Sequence, residues 1–306
     1  MTLNQLKYAV TVAECPSMTE AARRLFITQP SLTASIHELE KEMKITIFSR
    51  TNKGVTVTPE GEEFLGYARQ MLEQEAVMLE RYTGRNPGKE KFCVSGQHYA
   101  FVVEAFVDLM KKYGGDEYEF HLRETQTWQI LEDVARGRSS VGVLYMNDFN
   151  RTILTRAIDE HDLVFTRLFR ARPHVFVSRV NPLAQKNSVT MEDLDAYPRL
   201  SYEQGEHNSF YYAEEIQSTV ARKKDIVVTD RATLFNLLIG MNGYTISSGV
   251  INADLNGDNI VAVPLEVDDY MDIGYVLRKH VAAGRLVSYY LERLEAYTKG
   301  NRQLTQ

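Results

Sequence analysis

The chain has 306 residues, of which 44% are apolar and 25% charged, with a formal net charge of −6. The length has room for two or three domains of roughly 100–200 residues each, and the negative balance argues against a protein that coats nucleic acid. No apolar run approaches the roughly 20 residues of a membrane-spanning helix. Thr2 to Ala13 lacks the apolar centre of a secretory signal, so a cytosolic protein with no membrane partner is expected. Cys15 and Cys93 form neither a metal-binding spacing nor a disulfide framework. Both are read as small apolar residues, with no basic neighbour to favour a thiolate.

Leu3, Leu6, Val10 and Ala13 recur at helical spacing, and the helix they predict ends near Cys15-Pro16. Ser17-Met18-Thr19-Glu20 has the pattern of a capping box, the Ser17 hydroxyl capping a second helix and Glu20 reaching back. Phe26 and Ile27 make a turn. Thr28 then caps a third helix with Pro30 in its first turn, where a missing N–H costs little.

The third helix carries a buried stripe of Leu32, Ile36, Leu39 and Met43. Its opposite face presents Pro30, Thr33, Ala34, His37 and Lys41, with Gln29, Ser31 and Ser35 flanking it. Short hydroxyls and an amide at a helix N-terminus suit close approach to phosphates and base edges in a major groove. Two β-branched runs, Ile45 to Arg50 and Val55 to Thr58, flank a turn ending in Gly54 and read as a hairpin. Arg50 and Lys53 bring positive charge to it, as a wing on a DNA backbone needs. Residues 1–58 carry seven basic and five acidic side chains, a net +2 that leaves −8 for the rest. That asymmetry has the sign of a DNA-binding head on an acidic body.

Pro59 opens a helix expected to run to about Tyr82, with a seam of Leu65, Ala68, Leu72, Ala76 and Leu79 close to coiled-coil periodicity. It ends in the hinge-like Thr83-Gly84-Arg85-Asn86-Pro87-Gly88 and is read as a dimerising helix. From Lys91 strands and helices alternate: strand Phe92–Ser95, helix Tyr99–Tyr113, strand Glu119–Arg123, helix Thr127–Arg136, strand Ser140–Leu144. This order predicts an α/β layer with a parallel sheet.

The string Ser17-x-Thr19-x-Ala21-Ala22-x-x-Leu25-x-x-Thr28-Gln29-Pro30-Ser31-Leu32-Thr33-x-Ser35-Ile36-x-x-Leu39-Glu40, with Ile47-Phe48-x-Arg50 and Thr58-Pro59-x-Gly61, resembles the LysR-type transcriptional regulators over a long ungapped stretch. The later Glu124-x-x-Thr127-x-x-x-Leu131-x-x-Val134-x-x-Gly137, Val141-Gly142-Val143, Asn181-Pro182-Leu183-Ala184, and Gly240 and Gly243 before Tyr244-Thr245-Ile246 fit the same family. The resemblance implies a winged helix-turn-helix over 1–58, a linker and dimerisation helix with hinge over 59–88, and an effector-binding domain over 89–306. That domain has a periplasmic-binding-protein-like α/β fold of two lobes, expected at 89–165 with 269–306, and at 166–268. Two departures stand out. Lys44 occupies a position where the family usually has glycine, so a left-handed cap is not expected there. Ala34 replaces a frequent arginine and has no group for a bidentate guanine contact.

The residues assigned to DNA are Thr28, Gln29, Pro30, Ser31, Thr33, Ala34, Ser35, His37, Arg50 and Lys53. Ligands of open α/β sheets bind beyond the carboxyl ends of strands, near helix N-termini. That rule selects Gln97, His98, Tyr99, Gln126, Thr127, Tyr145, Ser201, Tyr202, Gln204 and Ser247 for a small polar or anionic effector. Arg167, Arg170 and Arg172 are candidates for an anion patch, although an alternating Arg pattern on an exposed strand ordinarily only solvates it. None of the seven histidines pairs with another at i+3 or i+4, and phosphate loop, nucleophile elbow and dinucleotide fingerprint are absent. No metal, cofactor or catalysis is expected. The expected partners are double-stranded DNA at an interrupted inverted repeat, the effector, and a second copy in a dimer or tetramer, with RNA polymerase a further candidate. A second reading stays open, that of a solute-binding or catalytic α/β body whose helical head binds a partner.

Overall fold

The computed structural model describes residues 1–51, 54–83, 90–115, 117–207, 209–251 and 258–300. The chain divides into two compact units, Met1–Lys89 with Ala135–Arg138, and Glu90–Val134 with Ser139–Gln306. Among the described residues no helix is long and apolar enough to cross a membrane.

In the first unit, α1 (Leu3–Ala13) starts at a capping box in which the Thr2 hydroxyl accepts from Gln5 N and the Gln5 side chain accepts from Thr2 N. It buries Gln5, Leu6, Ala9 and Val12, a face turned from the expected one, and Leu3 is exposed. The turn follows from a polar contact: Gln5 Nε2 also donates to Glu38 Oε2 of the third helix at 3.2 Å, which brings an amide into the interface. The second helix, α2 (Met18–Arg24), is capped by Ser17, which accepts from Glu20 N at 3.2 Å. Only half of the expected box forms, because the Glu20 carboxylate pairs with Arg23 instead, at 2.6 Å.

The connecting turn places Phe26 in the left-handed region (φ 55) with its ring exposed. Next comes α3 (Gln29–Met43), capped by Thr28, with Pro30 in its first turn and Leu32, Ile36 and Leu39 buried. Contrary to the expectation from its missing glycine, α3 ends in a left-handed cap formed by Lys44 itself, at φ 57 and ψ 34. The chain reverses there so that Ile47 and Phe48 return to the core shared with Ala9, Val12, Ala21, Ala22, Leu32 and Leu65.

Strands β1 (Phe48–Thr51) and β2 (Gly54–Val57) pair antiparallel, from Phe48 opposite Val57 to Thr51 opposite Gly54. Helix α4 (Pro59–Thr83) follows, its first turn capped by Thr58 Oγ1, which accepts from Gly61 N at 2.9 Å. A Cβ on Gly61 would stand 2.2 Å from the Ile47 carbonyl oxygen, which is the physical content of the Thr-Pro-x-Gly motif. Leu65 and Ala68 of the expected seam are buried in this unit, and Leu72, Ala76 and Leu79 are half-buried. Among the described side chains of α4, the apolar ones left exposed are Tyr67, Met71, Met78 and Tyr82, spaced to share a different face of the helix. The expected hinge at 84–88 lies outside the described residues.

The second unit holds two five-stranded sheets. The first contains β3 (Glu90–Gly96), β4 (Tyr118–Glu124) and β5 (Val141–Met146), with α5 (Ala100–Tyr113) and α6 (Thr127–Ala135) in the two crossovers. As expected, β3 pairs parallel with both β4 and β5. Every residue of β5 is buried, as an uninterrupted apolar run in a sheet interior should be. Helix α7 (Arg151–Glu160) leads to β6 (Leu163–Ala171), which completes this sheet by pairing antiparallel with β12 (Met271–Arg278). The first lobe therefore continues to Ala171 and not to the expected 165, since β6 stays hydrogen-bonded to β12 along its length.

The second sheet begins with β7 (His174–Ser178) and adds β8 (Arg199–Tyr202), β9 (Asp225–Val228), β10 (Tyr244–Ser247) and β11 (Ile260–Pro264) in the order β11-β7-β10-β8-β9. Helix α8 (Arg231–Gly240) joins β9 to β10, and α9 (Arg285–Gly300) follows β12. The chain crosses between the sheets twice, at 171–174 and 264–271, so the first lobe is built from two segments while the second is continuous in sequence.

Candidate functional site

Two candidate sites emerge, one in each unit. On α3, Thr28, Gln29, Pro30, Ser31, Ala34 and His37 are exposed, and Thr33 and Ser35 half-buried. The polar groups are ordered among themselves. Gln29 Nε2 donates to Thr33 Oγ1 at 3.1 Å, and the Thr28 and Ser31 hydroxyls lie 2.8 Å apart. His37 Nδ1 stands 3.5 Å from Glu40 Oε2. The result is a rigid row of short donors and acceptors at the positive end of a helix, which matches phosphate oxygens and base edges. Arg50 lies on β1 opposite Val55; Lys53 is outside the described residues.

In the second unit a cleft of about 350 Å³, open mouth included, lies between the lobes and is lined by His98, Tyr99, Phe176, Tyr202, Glu214, Glu215, Phe235, Thr245, Ile246 and Ser247. His98 and Tyr99 come from the first lobe, at the start of α5. The others belong to the second. Of the ten residues expected at the effector, His98, Tyr99, Tyr202 and Ser247 reach the cleft wall.

Four others form its frame. Gln97 is buried and held at both ends of its amide: its Nε2 donates to Thr127 Oγ1 at 2.7 Å, and its Oε1 accepts from Tyr145 N at 2.9 Å and from the Tyr99 hydroxyl. Thr127 and Tyr145 are held by the same bonds. Gln204 links the lobes, its Oε1 accepting from Thr127 N at 3.1 Å. Gln126 and Ser201 do not line the cleft: Gln126 packs against Gly205, and Ser201 lies within β8. The framing residues are polar because a loop that turns between strand and helix must satisfy its backbone groups, and sequence alone does not separate that duty from ligand contact.

Sequence reasoning missed Glu214 and Glu215. Their segment has no periodicity, and adjacent carboxylates ordinarily mark a solvated surface, yet both are buried. Glu214 Oε2 accepts from His98 N at 3.1 Å and lies 2.9 Å from His98 Nδ1. The His98 ring stacks on Tyr202 with centroids 3.7 Å apart, and its Nε2 is buried without a hydrogen-bond partner. Glu215 Oε1 accepts from Tyr202 N at 3.0 Å. Burial, and then the neighbouring charge of Glu214, push the Glu215 carboxyl up to about 8. Nearby, Arg231 lies 2.8 Å from Glu124 Oε1 without hydrogen-bond alignment. Trp128 stacks on His207 at 4.2 Å, a further contact between the lobes.

Two smaller expectations need correction. Cys93 does have a basic neighbour, since Arg123 Nη1 lies 2.8 Å from its Sγ. Burial nevertheless raises the thiol above its usual range. Arg167 and Arg170 do more than solvate β6: with Arg151 they converge on the buried Asp272 at 3.4, 2.8 and 2.9 Å. Among the described residues no three His, Cys, Asp or Glu side chains are placed to hold a metal ion.

Comparison with known proteins agrees with this architecture. Residues 3–62 match the model of the bacterial regulatory helix-turn-helix proteins of the lysR family, and residues 93–298 match the LysR substrate binding domain. The chain is 28% identical to the HTH-type transcriptional regulator AlsR of Bacillus subtilis over 257 residues, 82% of this chain and 78% of AlsR. It is 25% identical to CysB of Haemophilus influenzae over 66% of this chain and 61% of that protein. Among solved structures, a full-length OxyR variant from Pseudomonas aeruginosa superposes with a TM-score of 0.69 at 19% identity, covering 96% of this chain and 98% of that one. Full-length CbnR complexed with its target DNA gives 0.57 at 17% identity, covering 97% and 100%. At such identities these two structures speak for the fold. The two family models span the head and nearly all of the body, and the chain therefore belongs to the LysR family, DNA-binding transcriptional regulators, not enzymes, that carry an effector-binding domain.

Proposed function

We propose that the protein acts in the cytosol as a homo-oligomer on an interrupted inverted repeat. The N-terminal half of α3 enters the major groove, and a small effector in the cleft between the lobes changes the spacing of the two heads. The observation that carries the DNA reading is the internally hydrogen-bonded row of exposed Thr28, Gln29 and Ser31 with half-buried Thr33 at the α3 N-terminus. The net charge of +2 over residues 1–58 is small for one head, and two heads on one oligomer double the phosphate contacts. The fold shared with CbnR, whose solved structure is a complex with target DNA, supports the same reading. The exposed Tyr67, Met71, Met78 and Tyr82 face of α4 is the surface we assign to self-association, in place of the seam expected from periodicity. RNA polymerase is a candidate partner of the DNA-bound form.

A footprint on the promoter region beside the protein's own gene tests the reading. Protection of two half-sites on one face of the duplex, about one helical turn or a multiple apart, is the expected result. A single short protected tract, or none at low salt, contradicts it.

A further inference from the structure

The charge distribution of the cleft carries a step further, one that rests on reading it as the effector site. Its lining contains two carboxylates, Glu214 and Glu215, one imidazole, His98, and neither lysine nor arginine. Glu214 is occupied, with Oε2 on His98 and Oε1 on Gln204 Nε2 at 3.4 Å. Glu215 meets the backbone N–H of Tyr202. The nearest cations are committed elsewhere: Arg199 grips Asp225 through two bonds of 2.7 and 3.0 Å, and Arg231 faces Glu124. The remaining walls are the rings of Tyr99, Phe176, Tyr202 and Phe235 with Ile246. Aromatic faces attract cations and shelter an apolar body. Finally, in the tautomer whose Nδ1–H donates to Glu214, the buried and unpartnered Nε2 is an acceptor awaiting a donor N–H.

We infer that the effector is a small organic ammonium with an apolar body, its nitrogen placed between Glu215 and His98 Nε2 and its body against the aromatic walls. This reverses the anionic half of the sequence expectation. A carboxylate entering this cleft would find no lysine or arginine among the side chains that line it.

The cation also changes the protonation of the site. The titratable and charged groups around Glu215 include Glu214, Arg199, Tyr99, Tyr145 and Tyr202. None of them neutralises it, and its carboxyl is held largely protonated at neutral pH. An arriving ammonium favours the carboxylate, so binding expels a proton to solvent.

The test uses the full-length protein and three matched probes, 2-phenylethylamine, 2-phenylethanol and 3-phenylpropionate, followed by thermal melting and titration calorimetry at pH 7 in two buffers of different ionisation enthalpy. The amine is expected to bind at least tenfold tighter than the alcohol, with release of a proton, and the carboxylate not to bind. Glu215→Gln should abolish the amine's advantage over the alcohol together with the proton release, and an unchanged circular-dichroism spectrum reports that the variant is folded. Tighter binding of the carboxylate, or an amine advantage that survives Glu215→Gln, overturns the ammonium assignment and leaves the cleft as effector site. Failure of all three probes overturns both.

Discussion

Glu40 of α3 holds the start of the wing: its Oε1 accepts from the backbone N–H of Ile47 at 2.8 Å and of Phe48 at 3.0 Å. The other oxygen faces His37. One carboxylate thus couples the groove-facing helix to the hairpin, and the Leu39-Glu40 pair of the family pattern has a physical reason. Glu40→Ala strands two partly buried donors and should cost about 2 kcal/mol, measured by urea unfolding, with weaker DNA binding because the wing loses its anchor. Stability and affinity both unchanged would show that the contact is incidental.

Lys44 offers the opposite case, a residue whose replacement should help. It adopts the left-handed conformation that glycine takes without strain, at a cost of roughly 1 kcal/mol for a residue with a Cβ. Lys44→Gly is therefore expected to raise stability by up to about 1 kcal/mol, less what the more flexible unfolded chain takes back. A lower melting temperature would place the importance of Lys44 in its side chain.

The order of elements was legible in the sequence almost throughout. Helices α1 to α3, the hairpin, α4 and the parallel β3-β4-β5 layer all follow from apolar period, caps and turns. What was not legible has identifiable causes. The buried face of α1 turned because Gln5 finds a partner in Glu38, a contact between residues far apart in the chain. The lobe boundary moved because β6 remains paired to β12, which lies about a hundred residues later. Glu214 and Glu215 went unseen because carboxylates announce burial only through their partners, His98 and the Tyr202 backbone. Gln97, conversely, looked like a ligand residue and is a strut.

Self-association should depend on the exposed apolar row of α4. Met71→Glu with Met78→Glu places two charges on that face and is expected to raise the dissociation constant of the oligomer at least tenfold in sedimentation velocity. An unchanged oligomer would return the contact to another surface. The half-buried Leu72, Ala76 and Leu79 are the alternative.

Glu215 makes a pH prediction with a definite sign. Its carboxyl is raised from the usual 4.5 to about 8 in the folded protein. Between those values the folded state holds a proton that the unfolded chain has released. This contribution is fully present below 4.5, and it is lost as pH rises toward 8. The slope from this one group is about 1.4 kcal/mol per pH unit. Glu215→Gln keeps the neutral form at every pH, so unfolding curves recorded from pH 5 to 8.5 should be flatter for the variant, which becomes the more stable protein at the alkaline end. Parallel curves would mean that the carboxyl is ionised in the fold.

The central claim is that α3 reads DNA through its N-terminal row, and fluorescence anisotropy with a labelled promoter fragment tests it most directly. Gln29→Ala with Thr33→Ala removes an amide and a hydroxyl that bond to each other on the outer side of the helix, so the fold should stand. The variant is expected to bind the cognate fragment about ten- to a hundredfold more weakly, from the roughly 1–3 kcal/mol carried by a good base contact, and a random fragment as before. Undiminished affinity for the cognate fragment would contradict the account.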